Sequence, residues 1–252
     1  KFVMGEVEYV VIPAWDYQSS LKALEIADTN NNIYVALGLH PTEVPRFLNA
    51  AKQNEMSFEE YIEQELDKIE KLMLENRKKV VAIGELGLDY YWDKEEYTQT
   101  LQRYMMIKQI GLANKLGLPI VIHTRDALSD TIEILKQYED VGGILHCFPG
   151  SYESVLPILS RYYVSVGGTL TFKNNVKTKE LVSKLPLNKI VIETDSPYLT
   201  PVPFRGKRNN PIYTKYVAEE IARIKEITVE EVIETTTRNA AKAYRLEHLL
   251  WK

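Results

Sequence analysis

Seven short apolar runs, rich in Val and Ile, recur along the chain, and segments with helical periodicity lie between them. The runs lie at residues 9–13, 33–39, 80–86, 119–124, 143–148, 163–167 and 189–194. They are apolar at nearly every position rather than at alternating positions, which is typical of parallel strands buried on both faces. The amphipathic segments lie at residues 57–76, 96–116, 129–138 and 212–224. Strands that alternate with helices in this way predict an α/β protein.

Polar side chains at the ends of the apolar runs favour a closed barrel over an open, doubly wound sheet. These side chains are His40, Glu85, His123, His146 and Asp195. A barrel gathers the C-terminal ends of its strands at one mouth, whereas an open sheet spreads them along a line. No Gly/Ser-rich linker divides the chain, so we expect one domain over residues 1–252. We therefore predict a TIM-type (β/α)8 barrel whose first strand is missing from the chain as given, because only seven strand runs are present.

The composition fits a globular protein of a reducing compartment. A single cysteine, Cys147, excludes a disulfide within the chain and predicts a cytoplasmic location. No apolar run reaches the ~18 residues that a membrane span requires, so we expect no membrane association. The net charge of −4 argues against a broad basic surface for nucleic acid, but bound metal ions can supply positive charge locally. No feature of the sequence indicates an obligate protein partner.

Two histidines and two carboxylates at strand ends are candidate metal ligands: Glu85, His123, His146 and Asp195. Imidazole and carboxylate together suit Zn²⁺, Mn²⁺ and similar ions. Taken singly, each residue has an ordinary alternative, such as a hydrogen-bonded histidine, a capping or ion-paired glutamate, or a turn at the aspartate. Taken together the four residues favour a metal site, because a charge within apolar strands is costly unless it is paired or metal-bound. We expect an open site whose metal activates water and polarises a phosphoryl or carbonyl oxygen.

Four further side chains are candidate substrate contacts: His40, Arg125, Arg205 and Arg208. Residues 203–210 follow the last strand, where barrel loops overlook the active-site mouth, and guanidinium groups suit bidentate phosphate binding. A merely exposed basic loop is the alternative. Arg125 either contacts phosphate or pairs with Asp126, and His40 serves either the substrate or a structural hydrogen bond. Three aromatic side chains follow Glu85 along the chain: Tyr90, Tyr91 and Trp92. They either stack on bases or pack in the core.

Six motifs together resemble those of the TatD family, a branch of the amidohydrolase superfamily. They are Gly38-Leu39-His40-Pro41, Gly84-Glu85-Leu86-Gly87-Leu88-Asp89, His123-Thr124-Arg125-Asp126-Ala127, Leu145-His146-Cys147-Phe148, Glu193-Thr194-Asp195-Ser196-Pro197-Tyr198-Leu199 and Arg205-Gly206-Lys207-Arg208-Asn209. They occur in the family's order along the chain. The resemblance implies a barrel that binds divalent metal ions, two of them, as Mg²⁺, Mn²⁺ or Zn²⁺. It also implies a deoxyribonuclease that acts as a 3′–5′ exonuclease on single strands or 3′ ends of DNA.

Carried over by motif, the same resemblance implies a role for each residue. Glu85 bridges the two ions, and His123 and His146 complete one of the two sites. Asp195 binds the other ion and helps to deprotonate the attacking water, so that Asp195 and Glu85 are the catalytic residues. His40 and the loop at residues 205–208 contact the substrate.

The sequence departs from the family at its start. The family begins with a His-x-His motif on the first strand, whose histidines ligate a metal, but this sequence has no such motif and its first histidine is His40. We expect that about 20–30 residues, one βα unit, precede Lys1 in the natural protein. Two rival functions stay open at this point. One is hydrolysis of a small ester, amide or lactone on the same barrel, and the other is non-catalytic binding by a degenerate barrel.

Overall fold

The computed structural model describes residues 7–250, which form two compact units. Residues 9–142 are the N-terminal unit, and residues 143–250 with residues 7–8 are the C-terminal unit. Each of the seven apolar runs contains a strand, and neighbouring strands within each unit are parallel. The expected α/β class is therefore confirmed, whereas the single domain stays a prediction. Every helix among residues 7–250 is too short or too polar to cross a membrane.

The N-terminal unit contains four parallel strands in sequence order. The strands are β1 (Val10–Pro13), β2 (Ile33–Leu37), β3 (Val80–Asp89) and β4 (Ile120–Arg125). The helices are α1 (Tyr17–Asp28), α2 (Val44–Gln53), α3 (Phe58–Glu75), α4 (Glu96–Leu116) and α5 (Leu128–Tyr138), and a 3-10 turn (Pro41–Glu43) leads into α2. Strand β2 is buried at every position, and β3 at every position except Glu85. Burial on both faces explains why the sequence of these strands is continuously apolar.

The C-terminal unit contains three parallel strands and four helices. They are β5 (Gly143–Leu145), α6 (Tyr152–Val155), β6 (Tyr162–Val166), α7 (Val176–Lys184), β7 (Ile190–Ile192), α8 (Thr214–Lys225) and α9 (Val229–Ala243). Short 3-10 turns lie at Gly168–Thr171, Leu187–Lys189, Pro211–Tyr213 and Glu247–Leu249. Strands β5 and β7 end earlier than the apolar runs predict. In β5 the chain leaves the extended conformation by Cys147, whose φ of 43° is left-handed.

Side-chain caps start two helices of the N-terminal unit at defined residues. Asp16 lies three residues after β1 and accepts a hydrogen bond from Ser19 N at 2.7 Å, which caps α1. Ser57 and Glu60 form a reciprocal capping box at α3, with bonds of 2.8 and 3.1 Å. Each cap stabilises its helix by about 1 kcal/mol. The cap at Asp16 thus turns the chain into α1 directly beyond the C-terminal end of β1.

Two glycines allow the chain after β2 to approach β3 closely. A Cβ atom added to Gly38 would lie 2.9 Å from both the Cα and the carbonyl carbon of Gly84. Side-chain carbons do not come so close to backbone atoms, and the backbone at Gly84 leads directly into Glu85. Space alone therefore requires glycine at position 38, and any displacement there would move the carboxylate that follows.

We expect Gly38→Ala to destabilise the protein by about 1–3 kcal/mol, because its methyl group overpacks against backbone that cannot move aside. Urea unfolding followed by circular dichroism measures the change. Gly111→Ala is the matched control: Gly111 lies within α4, where an added Cβ meets no atom within 4 Å. That control should gain about 0.5–1 kcal/mol from helix propensity. Equal free energies of unfolding for Gly38→Ala and the wild type would contradict the close approach.

Candidate metal-binding clusters

The N-terminal unit brings two histidines and two carboxylates together, and we call them the Glu85 cluster: His40, Glu85, Asp89 and His123. The candidate ligand atoms of His40, Glu85 and His123 all lie within 4.8 Å of one another. His123 Nδ1 lies 3.2 Å from Glu85 Oε1, and His40 Nε2 lies 3.9 Å from the same oxygen. These three side chains are 15–19% exposed. They are thus largely shielded from water but open to a small ligand.

The register of β3 and β4 places Glu85 beside His123. Gly87 lies opposite His123 in the parallel ladder. A Cβ atom on Gly87 would lie 1.9 Å from His123 O, and Gly87 has a φ of 143°. Both facts require glycine at this position. The backbone of Glu85 is fixed on its other side, because Glu85 N donates to Ala14 O at 2.9 Å.

Two buried glutamines on α4 hold the backbone next to the cluster residues. Gln109 accepts from Leu39 N at 2.7 Å and donates to Leu39 O at 2.9 Å, directly before His40. Gln102 accepts from Asp89 N at 2.8 Å and donates to Asp89 O at 2.9 Å. Seven residues apart, the two glutamines lie on one face of the helix, two turns from each other. Their amides therefore take the place of a neighbouring strand at two strand ends.

Asp89 uses both of its oxygens although it is only 2% exposed. Its Oδ2 lies 3.0 Å from His123 Nε2. Its Oδ1 accepts from Tyr91 N at 3.0 Å and from Trp92 N at 3.4 Å. One carboxylate therefore orients the imidazole of His123 and also fixes the turn after β3.

Hydrogen bonding sets the protonation of this pair. Burial alone would lower the pKa of His123, but the bonds to Asp89 and Glu85 outweigh it and raise the pKa above its ordinary value. Burial alone would raise the pKa of Asp89, but the bonds from His123 and from the turn outweigh it and lower the pKa. The cluster therefore favours a positive charge between its carboxylates. A divalent cation would satisfy the same preference in competition with the proton on His123.

The C-terminal unit holds a second cluster of the same chemistry, which we call the Asp195 cluster: His146, Glu193 and Asp195. His146 follows β5, and both carboxylates follow β7. His146 Nδ1 bonds to Glu193 Oε2 at 2.5 Å, and His146 Nε2 lies 3.4 Å from Asp195 Oδ1. Glu193 also accepts hydrogen bonds from Ser165 Oγ and from Cys147 N. Glu193 is thus held from three sides, and it turns the second ring nitrogen of His146 towards Asp195.

One histidine in each cluster contacts two carboxylates, one at each ring nitrogen. His123 lies between Asp89 and Glu85, and His146 lies between Glu193 and Asp195. Histidines that ligate metals commonly bond an outer carboxylate through the nitrogen that does not face the metal. In this arrangement Asp89 and Glu193 are the outer carboxylates. The donor set that remains, imidazole nitrogen with carboxylate oxygen, fits Zn²⁺ and Mn²⁺, and carboxylate oxygen also fits Mg²⁺.

The structure brings the four ligands expected from the sequence together in two pairs. Glu85 meets His123 in one unit, and His146 meets Asp195 in the other. The assignment of the four to metal ions stays a prediction. His40, expected to contact substrate or to make a structural bond, lies in the Glu85 cluster and also bonds Thr42 Oγ1 through Nδ1 at 2.7 Å.

The three arginines expected to contact substrate are all exposed. The guanidinium group of Arg125 lies over the ring of Tyr91, 3.7 Å from its centroid, and Arg205 lies 4.3 Å from the centroid of Phe172. Asn209 holds the segment after Arg208, since its side chain donates to Tyr198 O at 2.6 Å and to Thr194 Oγ1 at 3.2 Å. The role of all three arginines in substrate binding stays a prediction.

Sequence reasoning missed four residues that position the candidate ligands: Asp89, Glu193, Gln102 and Gln109. The two carboxylates lie within the motifs quoted above, but motif position alone does not say which histidine each contacts. The two glutamines could have been recognised from the sequence, because they interrupt the apolar face of α4 seven residues apart. A polar side chain on a buried helix face requires a hydrogen-bond partner. Here the partners are the strand ends themselves.

Comparison of the whole sequence with known families and proteins identifies its relatives. The profile of the family described as TatD related DNase matches residues 1–245. The chain is 43% identical over 244 residues to an uncharacterized metal-dependent hydrolase of Bacillus subtilis, YabD, covering 96% of this chain and 89% of that protein. It is 34% identical over 250 residues to the uncharacterized metal-dependent hydrolase YcfH of Escherichia coli, covering 98% and 87%.

Solved structures described as a TatD homolog and as a TatD family protein also resemble this structure. The structure resembles that of the TatD homolog YJJV from Escherichia coli with a TM-score of 0.82 and 26% identity, covering 95% of this chain and 87% of that one. It resembles a TatD family hydrolase from Entamoeba histolytica with a TM-score of 0.77 and 26% identity, covering 95% and 85%. These likenesses confirm the TIM-type barrel class that the strand pattern and the polar strand ends predict.

We expect Asp89→Asn to weaken the binding of Mn²⁺ by about 10-fold to 100-fold, the usual effect of removing an outer carboxylate from a ligating histidine. The substituted amide has one oxygen, which cannot serve both His123 and the turn. Isothermal titration calorimetry on metal-free protein measures the affinity. Asp67→Asn, at an exposed position of α3, is the matched control and should bind like the wild type. Wild-type affinity in Asp89→Asn would show that Asp89 does not orient a ligand.

Proposed function

This chain belongs to the TatD-related DNase family and is a metal-dependent hydrolase of that family, and we propose that it hydrolyses the phosphodiester bonds of DNA. The proposed activity is that of a 3′–5′ exonuclease on single strands or 3′ ends. Two divalent ions, as Mg²⁺, Mn²⁺ or Zn²⁺, serve the reaction. Glu85 and His123 in one unit, and His146 and Asp195 in the other, are the proposed ligands.

The observation that supports the proposal is the pairing of carboxylates around the two histidines. A buried histidine with a single acidic neighbour is common in structural ion pairs. A histidine with carboxylates at both ring nitrogens, of which one is itself held by other bonds, is typical of a ligand whose ring orientation is fixed. Both His123 and His146 meet this description.

In the proposed reaction the residues of this chain orient groups and move a proton. A bound divalent ion supplies Lewis acidity, which polarises a phosphoryl oxygen and lowers the pKa of the attacking water. Asp195 accepts the proton of that water as the water oxygen forms its bond to phosphorus. The P–O bond to the leaving nucleotide breaks, and the leaving oxygen takes a proton from solvent, while Glu85 supplies the carboxylate next to His123. Asp89 and Glu193 keep the two imidazoles oriented through catalysis. Positions fixed in advance in this way avoid reorganisation when charge develops on the phosphoryl oxygens.

His40 and three arginines are the proposed contacts for the anionic substrate. His40 bonds Thr42 Oγ1 through Nδ1 at 2.7 Å, and its Nε2 lies 3.9 Å from Glu85 Oε1. A hydrogen bond from this ring to a phosphate oxygen next to the Glu85 cluster is its proposed role. Arg125, Arg205 and Arg208 supply planar groups that bind phosphate through two N–H donors.

We expect Glu85→Ala and His146→Ala each to lower the rate of divalent-dependent DNA hydrolysis by at least about 100-fold, because each removes a group that acts on the transition state. The assay is release of nucleotides from end-labelled single-stranded oligonucleotides with Mg²⁺ or Mn²⁺. EDTA should abolish the wild-type activity, and added Mn²⁺ should restore it. Glu133→Ala, at an exposed position of α5, should keep the wild-type rate.

Thermal unfolding of both variants near the wild-type temperature would show that the fold survives. Undiminished activity in either variant would rule out its proposed role. Labels at the 3′ and at the 5′ end report the polarity, since a 3′–5′ exonuclease releases a 3′ label first. A wild-type protein that cleaves small esters, amides or lactones but leaves every oligonucleotide intact would overturn the proposed substrate.

A further inference from the structure

Two exposed aromatic rings and a guanidinium group lie together next to the Glu85 cluster, and we call them the aromatic platform: Tyr91, Trp92 and Arg125. The two rings meet edge to face with centroids 4.8 Å apart. The guanidinium carbon of Arg125 lies 3.7 Å from the Tyr91 centroid and 5.4 Å from the Trp92 centroid. Despite these contacts, 45% of Tyr91 and 71% of Trp92 stays exposed. The platform therefore presents ring surface to solvent.

The neighbouring Tyr90 has the contacts of a structural aromatic residue. Its hydroxyl donates to Asp130 Oδ2 at 2.8 Å and accepts from Arg103 Nη1 at 3.1 Å. Burial, together with the bond to Asp130, raises the pKa of Tyr90 to about 12, so the hydroxyl keeps its proton. Packing within the protein thus accounts for Tyr90. It does not account for the exposed rings of Tyr91 and Trp92.

Asp89 fixes the aromatic platform relative to the Glu85 cluster. Its Oδ1 receives the backbone N–H groups of Tyr91 and Trp92, while its Oδ2 contacts His123. Arg125 comes two residues after His123 on β4 and lies opposite Asp89 in the parallel ladder. The platform and the proposed ligand His123 are therefore both bonded to the buried carboxylate of Asp89. The backbone that carries the platform is thus held at a fixed place relative to His123.

We propose that the aromatic platform is a subsite for single-stranded nucleic acid. A base stacks on the exposed ring of Trp92, and Arg125, which lies over Tyr91, binds the adjoining phosphate. The inference rests on the proposed nuclease function and names the substrate feature that the same site recognises. A guanidinium group stacked on a ring uses its face for the ring and keeps its N–H donors, which lie in its plane, for phosphate oxygens. The cation and the rings thus match the alternating phosphates and bases of one strand.

A single strand fits this surface better than a duplex or a small ester does. The bases of a duplex are already stacked on one another, so their faces are not available to an exposed tryptophan. Every base has an aromatic face, and stacking on it is therefore tolerant of sequence. A small ester or lactone would use the Glu85 cluster without needing the platform. An affinity that depends on the presence of bases therefore tests the platform separately from the metal chemistry.

The experiment compares an ordinary single-stranded oligonucleotide with one of equal length that carries tetrahydrofuran abasic sites in place of its bases. Both have the same phosphates, and only the first can stack. We expect the wild type to bind the ordinary strand about 10-fold to 100-fold more tightly, which is the range of one stacked base. Fluorescence anisotropy in EDTA measures affinity without cleavage. The ratio of kcat/KM for the two strands in Mn²⁺ gives a second measure.

Trp92→Ala should reduce this preference for bases to about threefold or less, and Trp92→Phe should retain most of it. Arg125→Ala should weaken the binding of both strands by a similar factor, because both keep their phosphates. Tyr138→Ala removes an exposed aromatic ring at the C-terminal end of α5 and is the matched control. It should keep the wild-type preference. Because the readout is a ratio within each variant, a partly unfolded preparation does not imitate the expected result.

The outcomes separate this inference from the nuclease proposal. Metal-dependent DNA hydrolysis, with the wild-type preference for bases kept in Trp92→Ala, would overturn the platform and leave the nuclease proposal intact. A wild type with equal affinity for ordinary and abasic strands would also overturn it. Absence of DNA hydrolysis, with a base preference that Trp92→Ala removes, would support the platform and overturn the nuclease proposal. Tighter binding of duplex than of single strands would count against the platform as well.

Discussion

The buried carboxylate of Asp89 is the interaction on which the N-terminal unit's site depends. A charged group at this depth is costly unless its oxygens are bonded. Here one oxygen meets His123, and the other receives two backbone N–H groups of the turn after β3. The bonds more than offset the effect of burial, which is why the pKa of Asp89 falls rather than rises. A ligand orientation and a loop conformation thus depend on the same ionised side chain.

The two clusters each orient a histidine with an outer carboxylate, but they hold that carboxylate in different ways. In the Glu85 cluster the outer carboxylate comes from the end of β3, and it is held by a turn of the chain. In the Asp195 cluster the outer carboxylate Glu193 lies two residues from Asp195, and a serine of β6 and a backbone N–H near β5 hold it. Each arrangement assigns one ring nitrogen to the protein. The other nitrogen faces the carboxylate proposed as a ligand.

Much of this architecture could be read from the sequence, because continuous apolar runs that end in polar residues are characteristic of buried parallel strands. That pattern gave the class, the strands and the candidate ligands Glu85, His123, His146 and Asp195. It could not give the partner of each histidine, since side-chain pairing depends on register, and register is not encoded by periodicity. The early end of β5 could not be predicted for a related reason: Cys147 and Phe148 continue the apolar run in composition, but the strand ends at Leu145 and Cys147 has a left-handed backbone. Likewise, nothing in the run Tyr90-Tyr91-Trp92 says which ring is bonded and which two are exposed.

The amide pairs of Gln102 and Gln109 have a consequence for the behaviour of α4. The two side chains lie about 10 Å apart along the helix axis and bond the backbone at two different strand ends. A slide or rotation of the helix would break both pairs of bonds at once, so α4 fixes the distance between the backbone at Leu39 and the backbone at Asp89. A helix outside the proposed ligand set thereby sets the backbone positions of Leu39, directly before His40, and of Asp89, which contacts His123. Loss of either amide pair would therefore shift one histidine of the Glu85 cluster relative to the other.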